Sequence, residues 1–98
     1  MNIVRNVTFQ IKPGKTAEFT KVLHDQVLPV MKLQPGFKHE LAMHNGNSAV
    51  GLSVWQDQPS ADRYQSAAYP EVLKQLAGVI EGTPRVENYE LAVSTLAG

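Results

Sequence analysis

The sequence predicts an α+β domain: a four-stranded antiparallel sheet with helices on one face, in the order β-α-β-β-α-β. Three observations carry this. Four separate segments alternate β-branched or aromatic residues at period two. Apolar stripes at helical spacing fill the intervals after the first and third of them. Pro-Gly and Asn-Gly pairs mark boundaries between segments.

The first strand covers 2–11. Ile3, Arg5, Val7, Phe9 and Ile11 share one face, and Val4, Asn6, Thr8 and Gln10 the other. Lys12-Pro13-Gly14-Lys15 is a turn, and Thr16 stands where it can cap the following helix. That helix covers 16–33, with Phe19, Val22, Leu23, Val27, Val30 and Met31 on its apolar stripe. Pro29 lies inside it, lacks a backbone N–H and predicts a kink near residues 25–29. Gln34-Pro35-Gly36 ends the helix. The second strand, 37–44, sets Phe37, His39, Leu41 and Met43 against Lys38, Glu40, Ala42 and His44.

Asn45-Gly46-Asn47 reads as a hairpin turn into the third strand, 48–55. One face of that strand is nearly bare (Ala49, Gly51, Ser53) and closes on Trp55, the only tryptophan; Val50, Leu52 and Val54 lie opposite. Asp57 and Ser60 are cap candidates for a helix near 60–68, which Ala68-Tyr69-Pro70 interrupts. A second helical segment starts at Pro70 and carries Val72, Leu73, Leu76, Val79 and Ile80, until Gly82-Thr83-Pro84 stops it. The last strand is expected over 85–95, with Leu96-Ala97-Gly98 as a frayed tail. The order is that of the ferredoxin-like split βαβ, in one domain over residues 1–98. The sheet face away from the helices stays apolar, which predicts a homodimer packed sheet against sheet.

Nine Lys and Arg balance nine Asp and Glu, so formal charge is zero and no basic field favours nucleic acid or an anionic membrane. The absence of cysteine excludes disulfides, thiolate nucleophiles and iron–sulfur clusters. His24, His39 and His44 show no ligand spacing, so no metal is expected. No glycine-rich phosphate loop and no Ser-His-Asp order occurs, so no cofactor is expected either. The N-terminal residues lack a signal-peptide core and no apolar run reaches membrane-spanning length, which makes a cytoplasmic location the default expectation.

Lys12-Pro13-Gly14-Lys15 with Glu18-Phe19, Gln34-Pro35-Gly36-Phe37, Ser53-Val54-Trp55, Tyr69-Pro70-Glu71-Val72-Leu73 and Val86-Glu87-Asn88-Tyr89-Glu90-Leu91 together resemble the antibiotic biosynthesis monooxygenase (ABM) family. The resemblance runs over almost the whole chain. It implies a dimeric α/β barrel, with a cavity between sheet and helices in each subunit. Members of the family include cofactor-independent oxygenases of aromatic polyketides and haem-degrading proteins. The haem-degrading branch uses a strand-one Asn, a Trp at the end of strand three and a His on the next helix. Trp55 matches, but Glu71-Val72-Leu73-Lys74-Gln75-Leu76-Ala77 contains no histidine, and strand alternation turns Asn6 away from Val7 and Phe9. That branch is disfavoured.

Seven residues are candidates for a ligand pocket, each with a structural alternative. Trp55 either stacks on a planar ligand or plugs the strand–helix corner. Arg5, a charge on an apolar face, either anchors a substrate anion or pairs with Glu87 or Glu90. His39 is a base or ligand, or else a structural or dimer-face histidine. Gly51 and Ser53 form the bare face: room for a small molecule, or for a closely packed helix. Tyr64 and Tyr69 hydrogen-bond a ligand or simply pack. Two functions follow. One is a cofactor-independent monooxygenase acting on a small aromatic or quinol-like substrate. The other is a non-catalytic dimeric barrel that binds a small hydrophobic ligand.

Overall fold

In the computed structural model, which describes residues 1–96, the N-terminal alternation becomes β1 (Ile3–Ile11). All five odd-numbered residues of β1 are buried. β2 (Phe37–Asn45), β3 (Ser48–Trp55) and β4 (Ile80–Glu90) complete one antiparallel sheet in the order β2-β3-β1-β4. The helices cover one face, giving the α+β ferredoxin-like arrangement expected from the sequence, with the sheet left unclosed. The core lies between that face and the helices: Ile3, Val7, Phe9 and Ile11 of β1 meet Phe19, Val27, Met31, Val72 and Leu76. Among the described residues, no helix is long and apolar enough to cross a membrane.

The first helical stretch has three parts: α1 (Thr16–Val22), a π-helical turn (Leu23–Val27) and α2 (Leu28–Lys32). The predicted kink is thus a widened turn. Pro29 crowds the carbonyl four residues before it, and the N–H of Leu28 reaches back five residues to Leu23. Thr16 does not cap the helix. Lys15 holds the cap position, without a side-chain hydrogen bond, and Thr16 is the first helical residue.

Asp57 does cap α3 (Gln58–Ala67), accepting from the Ser60 N–H at 2.9 Å and from Ser60 Oγ at 2.6 Å. α4 (Tyr69–Leu76) follows after a break at Ala68. Its end differs from expectation: Val79 and Ile80 continue the apolar spacing, but the helix stops at Leu76 and Ile80 opens β4. Gly82 takes φ +67° inside that strand, and the β1–β4 register shifts between Thr8 and Gln10. β4 ends at Glu90, so 91–95 is not strand; of the expected frayed tail, Ala97 and Gly98 lie outside the described residues.

Gly36 joins the first helical stretch to β2 at φ +81°, and its carbonyl accepts from the Gln56 N–H at 2.8 Å. A Cβ there would collide with the Ser60 side chain, 2.5 Å from its Cβ. Gly36→Ala therefore combines left-handed strain with overpacking at the α3 cap. It is expected to cost roughly 2–4 kcal/mol, read as a lowered midpoint in thermal unfolding.

Candidate functional site

Arg5 is the polar centre of the space under the helices. Strand alternation puts it among Ile3, Val7 and Phe9, and it is 2% exposed. Its guanidinium carbon stands 4.6 Å from the Tyr69 ring centroid and 4.9 Å from that of Tyr64, and Nη2 donates to Gln65 Oε1. Among the described residues it makes no ion pair. Desolvation lowers its pKa, opposed by Tyr64, Tyr69 and Glu40, but a guanidinium keeps its charge in a protein. The result is a buried cation held by aromatic faces.

Beside it lies a chamber of about 30 Å³, bounded by Arg5, Glu40, Gly51, Ser53, Tyr64 and Tyr69 among others. That is room for one or two waters. The Tyr69 hydroxyl is buried and has no hydrogen-bond partner of normal geometry. Burial raises the pKa of both tyrosines, more than the nearby Arg5 lowers it, so both keep their protons at neutral pH.

A larger groove of about 360 Å³ runs outside the chamber, between the first helical stretch and β2. Leu23, Val27, Met31 and Glu40 line both spaces. The π-helical turn contributes Leu23 and Val27 to this shared wall, and the only charged side chain on it is Glu40. A bulge brings Glu40 there. Phe37 pairs with Trp55, but His39 pairs with Val54 and Glu40 with Ser53, so every residue after Phe37 changes face. Glu40 then lies over Gly51, where an added Cβ would stand 3.3 Å from its Oε1. Burial pushes the Glu40 carboxyl up to about 8, against the pull of Arg5.

The seven sequence candidates separate into three groups. Arg5, Gly51, Ser53, Tyr64 and Tyr69 come together around the chamber. Trp55 stands behind it, 0% exposed, stacked on Tyr64 at 4.8 Å and donating its N–H to Ser53 Oγ at 2.8 Å. His39 is carried by the bulge to the open sheet face with Leu41, and it borders neither space. The alternative ion pairs of Arg5 do not form: Glu87 bonds Arg85 and Tyr89, and Arg5 faces Asn88 across the strands. Asn6 lies on the open face, as alternation required, with its Oδ1 buried and unbonded.

Sequence reasoning missed Glu40. The signal was Gly51: a bare strand centre leaves room that a neighbouring strand can fill, but only the bulge decides which residue of β2 fills it. Among the described residues, no cluster of three His, Asp or Glu is placed to hold a metal ion.

The sequence model described as "Antibiotic biosynthesis monooxygenase" matches residues 2–71, well over half of the chain. No curated protein matches the chain in sequence. Solved structures do match in fold. SnoaB, a cofactor-independent oxygenase from Streptomyces nogalater, is 18% identical with a TM-score of 0.79, covering 96% of each chain. The ActVA-Orf6 monooxygenase of Streptomyces coelicolor, solved with nanaomycin D, is 17% identical with a TM-score of 0.79, covering 99% of this chain and 93% of its own. The NE2512 protein of unknown function from Nitrosomonas europaea is 21% identical with a TM-score of 0.81, covering 99% and 95%.

Proposed function

Because the chain belongs to the antibiotic biosynthesis monooxygenase family, we propose that it is a cofactor-independent oxygenase of a small hydroxyaromatic or quinol-like substrate. One observation carries this reading: Arg5 is buried without an ion pair, beside a chamber whose Tyr69 hydroxyl has no hydrogen-bond partner of normal geometry. An isolated buried cation is costly, and an anion arriving in the chamber offsets that cost. A phenolate or enolate oxygen suits the forked guanidinium and the hydroxyl together. In such chemistry the electron-rich anion itself reacts with oxygen, and the protein supplies a dry site and a fixed positive charge. The groove, at about 360 Å³, has the size of a small-molecule site, while the chamber at about 30 Å³ holds only the oxygen end of a ligand.

The homodimer belongs to the same proposal. Val50, Leu52, Leu41 and Tyr89 share the open sheet face by register, and Leu41 and Tyr89 are exposed. A second copy packed on this face covers them. Sedimentation is expected to give a dimer at micromolar concentration; a folded lone protomer overturns the assembly. The activity is tested by oxygen uptake with a panel of quinols and naphthols. Uptake above buffer supports the reading, and none across a varied panel removes it.

A further inference from the structure

The carboxyl of Glu40 stands on the wall between groove and chamber. It is not there to neutralise Arg5, since the two form no ion pair. Although β2 is an edge strand of the sheet, the bulge after Phe37 turns Glu40 inward, and Gly51 leaves the space in which its Oε1 rests. The other three residues shared by the two spaces are Leu23, Val27 and Met31, none of which can carry a proton. Of the four residues that line both spaces, Glu40 is therefore the one that can exchange a proton with a hydroxyl reaching from the groove towards Arg5.

We propose that Glu40 exchanges a proton with the ligand hydroxyl, so that the site admits a neutral hydroxyaromatic through the groove and ionises it beside Arg5. The O–H bond breaks, its electron pair stays on the ligand oxygen, and the proton passes to a carboxylate oxygen of Glu40. Glu40 is half ionised near pH 8, and from that ionised form the transfer leaves the pocket's total charge unchanged: Arg5 is cationic throughout, and the negative charge moves from Glu40 to the ligand. The proton later leaves through the groove. No oxidant is needed for this step, which rests on the oxygenase reading only for the fate of the anion.

The surroundings favour the exchange. An ordinary carboxylate is nearly six pKa units short of a phenol near 10, and proton transfer to it is steeply uphill. Burial lifts Glu40 to about 8, which closes most of that gap, and the guanidinium lowers the ligand's own pKa. The charged and titratable groups around Glu40 are Arg5 from β1, Tyr64 from α3 and Tyr69 from α4, with His24 and His44 along the groove. Both tyrosines stay protonated through this range, so Glu40 is the group that titrates near 8 in the chamber.

The test uses the whole protein and 4-nitrophenol, whose ionised form is coloured. Glu40→Gln keeps the shape and removes the proton site. In the wild type, 4-nitrophenolate affinity should fall about tenfold per pH unit above 8, because the anion binds only beside protonated Glu40. Calorimetry at about pH 9, in buffers of different ionisation enthalpy, should count close to one proton taken up. In Glu40→Gln the affinity should stay flat and the proton count vanish. Gly51→Ala should keep the pH dependence but shift its midpoint, since the added methyl presses on Oε1 and on Phe9. Turnover of an accepted quinol should fall 10²- to 10⁴-fold in Glu40→Gln at about pH 9, where Glu40 of the wild type is ionised before the ligand arrives. Identical binding profiles in wild type and Glu40→Gln overturn the proposal, as does failure of the wild type to bind the probe. If no variant takes up oxygen but the proton count still follows Glu40, the oxygenase reading fails and this one stands.

Discussion

Replacing Arg5 by methionine is expected to lower oxygen uptake about 10²- to 10³-fold while leaving the protein folded and at least nearly as stable as the wild type. The two halves of this result come from the same geometry. Arg5 is 2% exposed and has no ion pair, so the fold carries the desolvation cost of a charge that no contacting carboxylate neutralises. In return it has two aromatic faces and one hydrogen bond to Gln65. Each aromatic contact contributes about 0.5–2 kcal/mol. Gln65 is on the exposed side of α3, so its freed carbonyl finds water. Methionine restores apolar contact along the stem without the charge, and the net change should stay within about 1 kcal/mol of zero, of either sign.

That outcome separates the two functions the sequence left open. A binding barrel that used Arg5 only as packing would lose stability on substitution and lose no reaction. A variant that melts several degrees lower and keeps the wild-type rate therefore returns Arg5 to a structural role. Lysine at the same position should behave like methionine in turnover. Its ammonium lacks the planar fork that lies against Tyr64 and Tyr69 and reaches a ligand oxygen from two nitrogens.

Elements whose local signals agree with their tertiary setting could be read from the sequence; those decided by register could not. β1 is a strand by alternation, and its five odd-numbered residues are the buried ones, which also put Arg5 inside and Asn6 outside. Asp57 is a cap because its side chain meets an N–H three residues on, a local geometry. Pro29 foretold a disturbed helix, though not that a π-helical turn would absorb it. Val79 and Ile80 misled, since apolar spacing continues unbroken where α4 ends and β4 begins. The bulge in β2 had the largest consequence for the site. Strict alternation grouped His39 with Phe37 and made it a pocket candidate, whereas one extra residue between them sends His39 to the open face and Glu40 to the chamber. No pattern in 37–44 distinguishes the two registers.

Trp55→Ala should be the most destabilising single change in the site region, and Trp55→Phe should show why. The indole is 0% exposed, stacked on Tyr64 at 4.8 Å and met edge-on by Phe37 at 5.5 Å. Truncation to alanine removes the largest buried side chain and leaves a cavity, a loss of about 3–5 kcal/mol. For a domain of this length that corresponds to a fall of roughly 12–40 °C in the unfolding midpoint, measured at fixed protein concentration because association shifts the midpoint as well. Phenylalanine keeps a ring against Tyr64 but leaves the buried Ser53 hydroxyl without its indole donor, a loss of about 1–3 kcal/mol. Because Trp55 stands behind Tyr64 and does not border the chamber, the phenylalanine variant should bind 4-nitrophenol within about threefold of the wild type, by the twofold-to-threefold context dependence of packing effects. A drop in affinity much larger than the drop in stability would instead place the indole against the ligand, and the ring would then have to turn out of the stack with Tyr64 when the site fills.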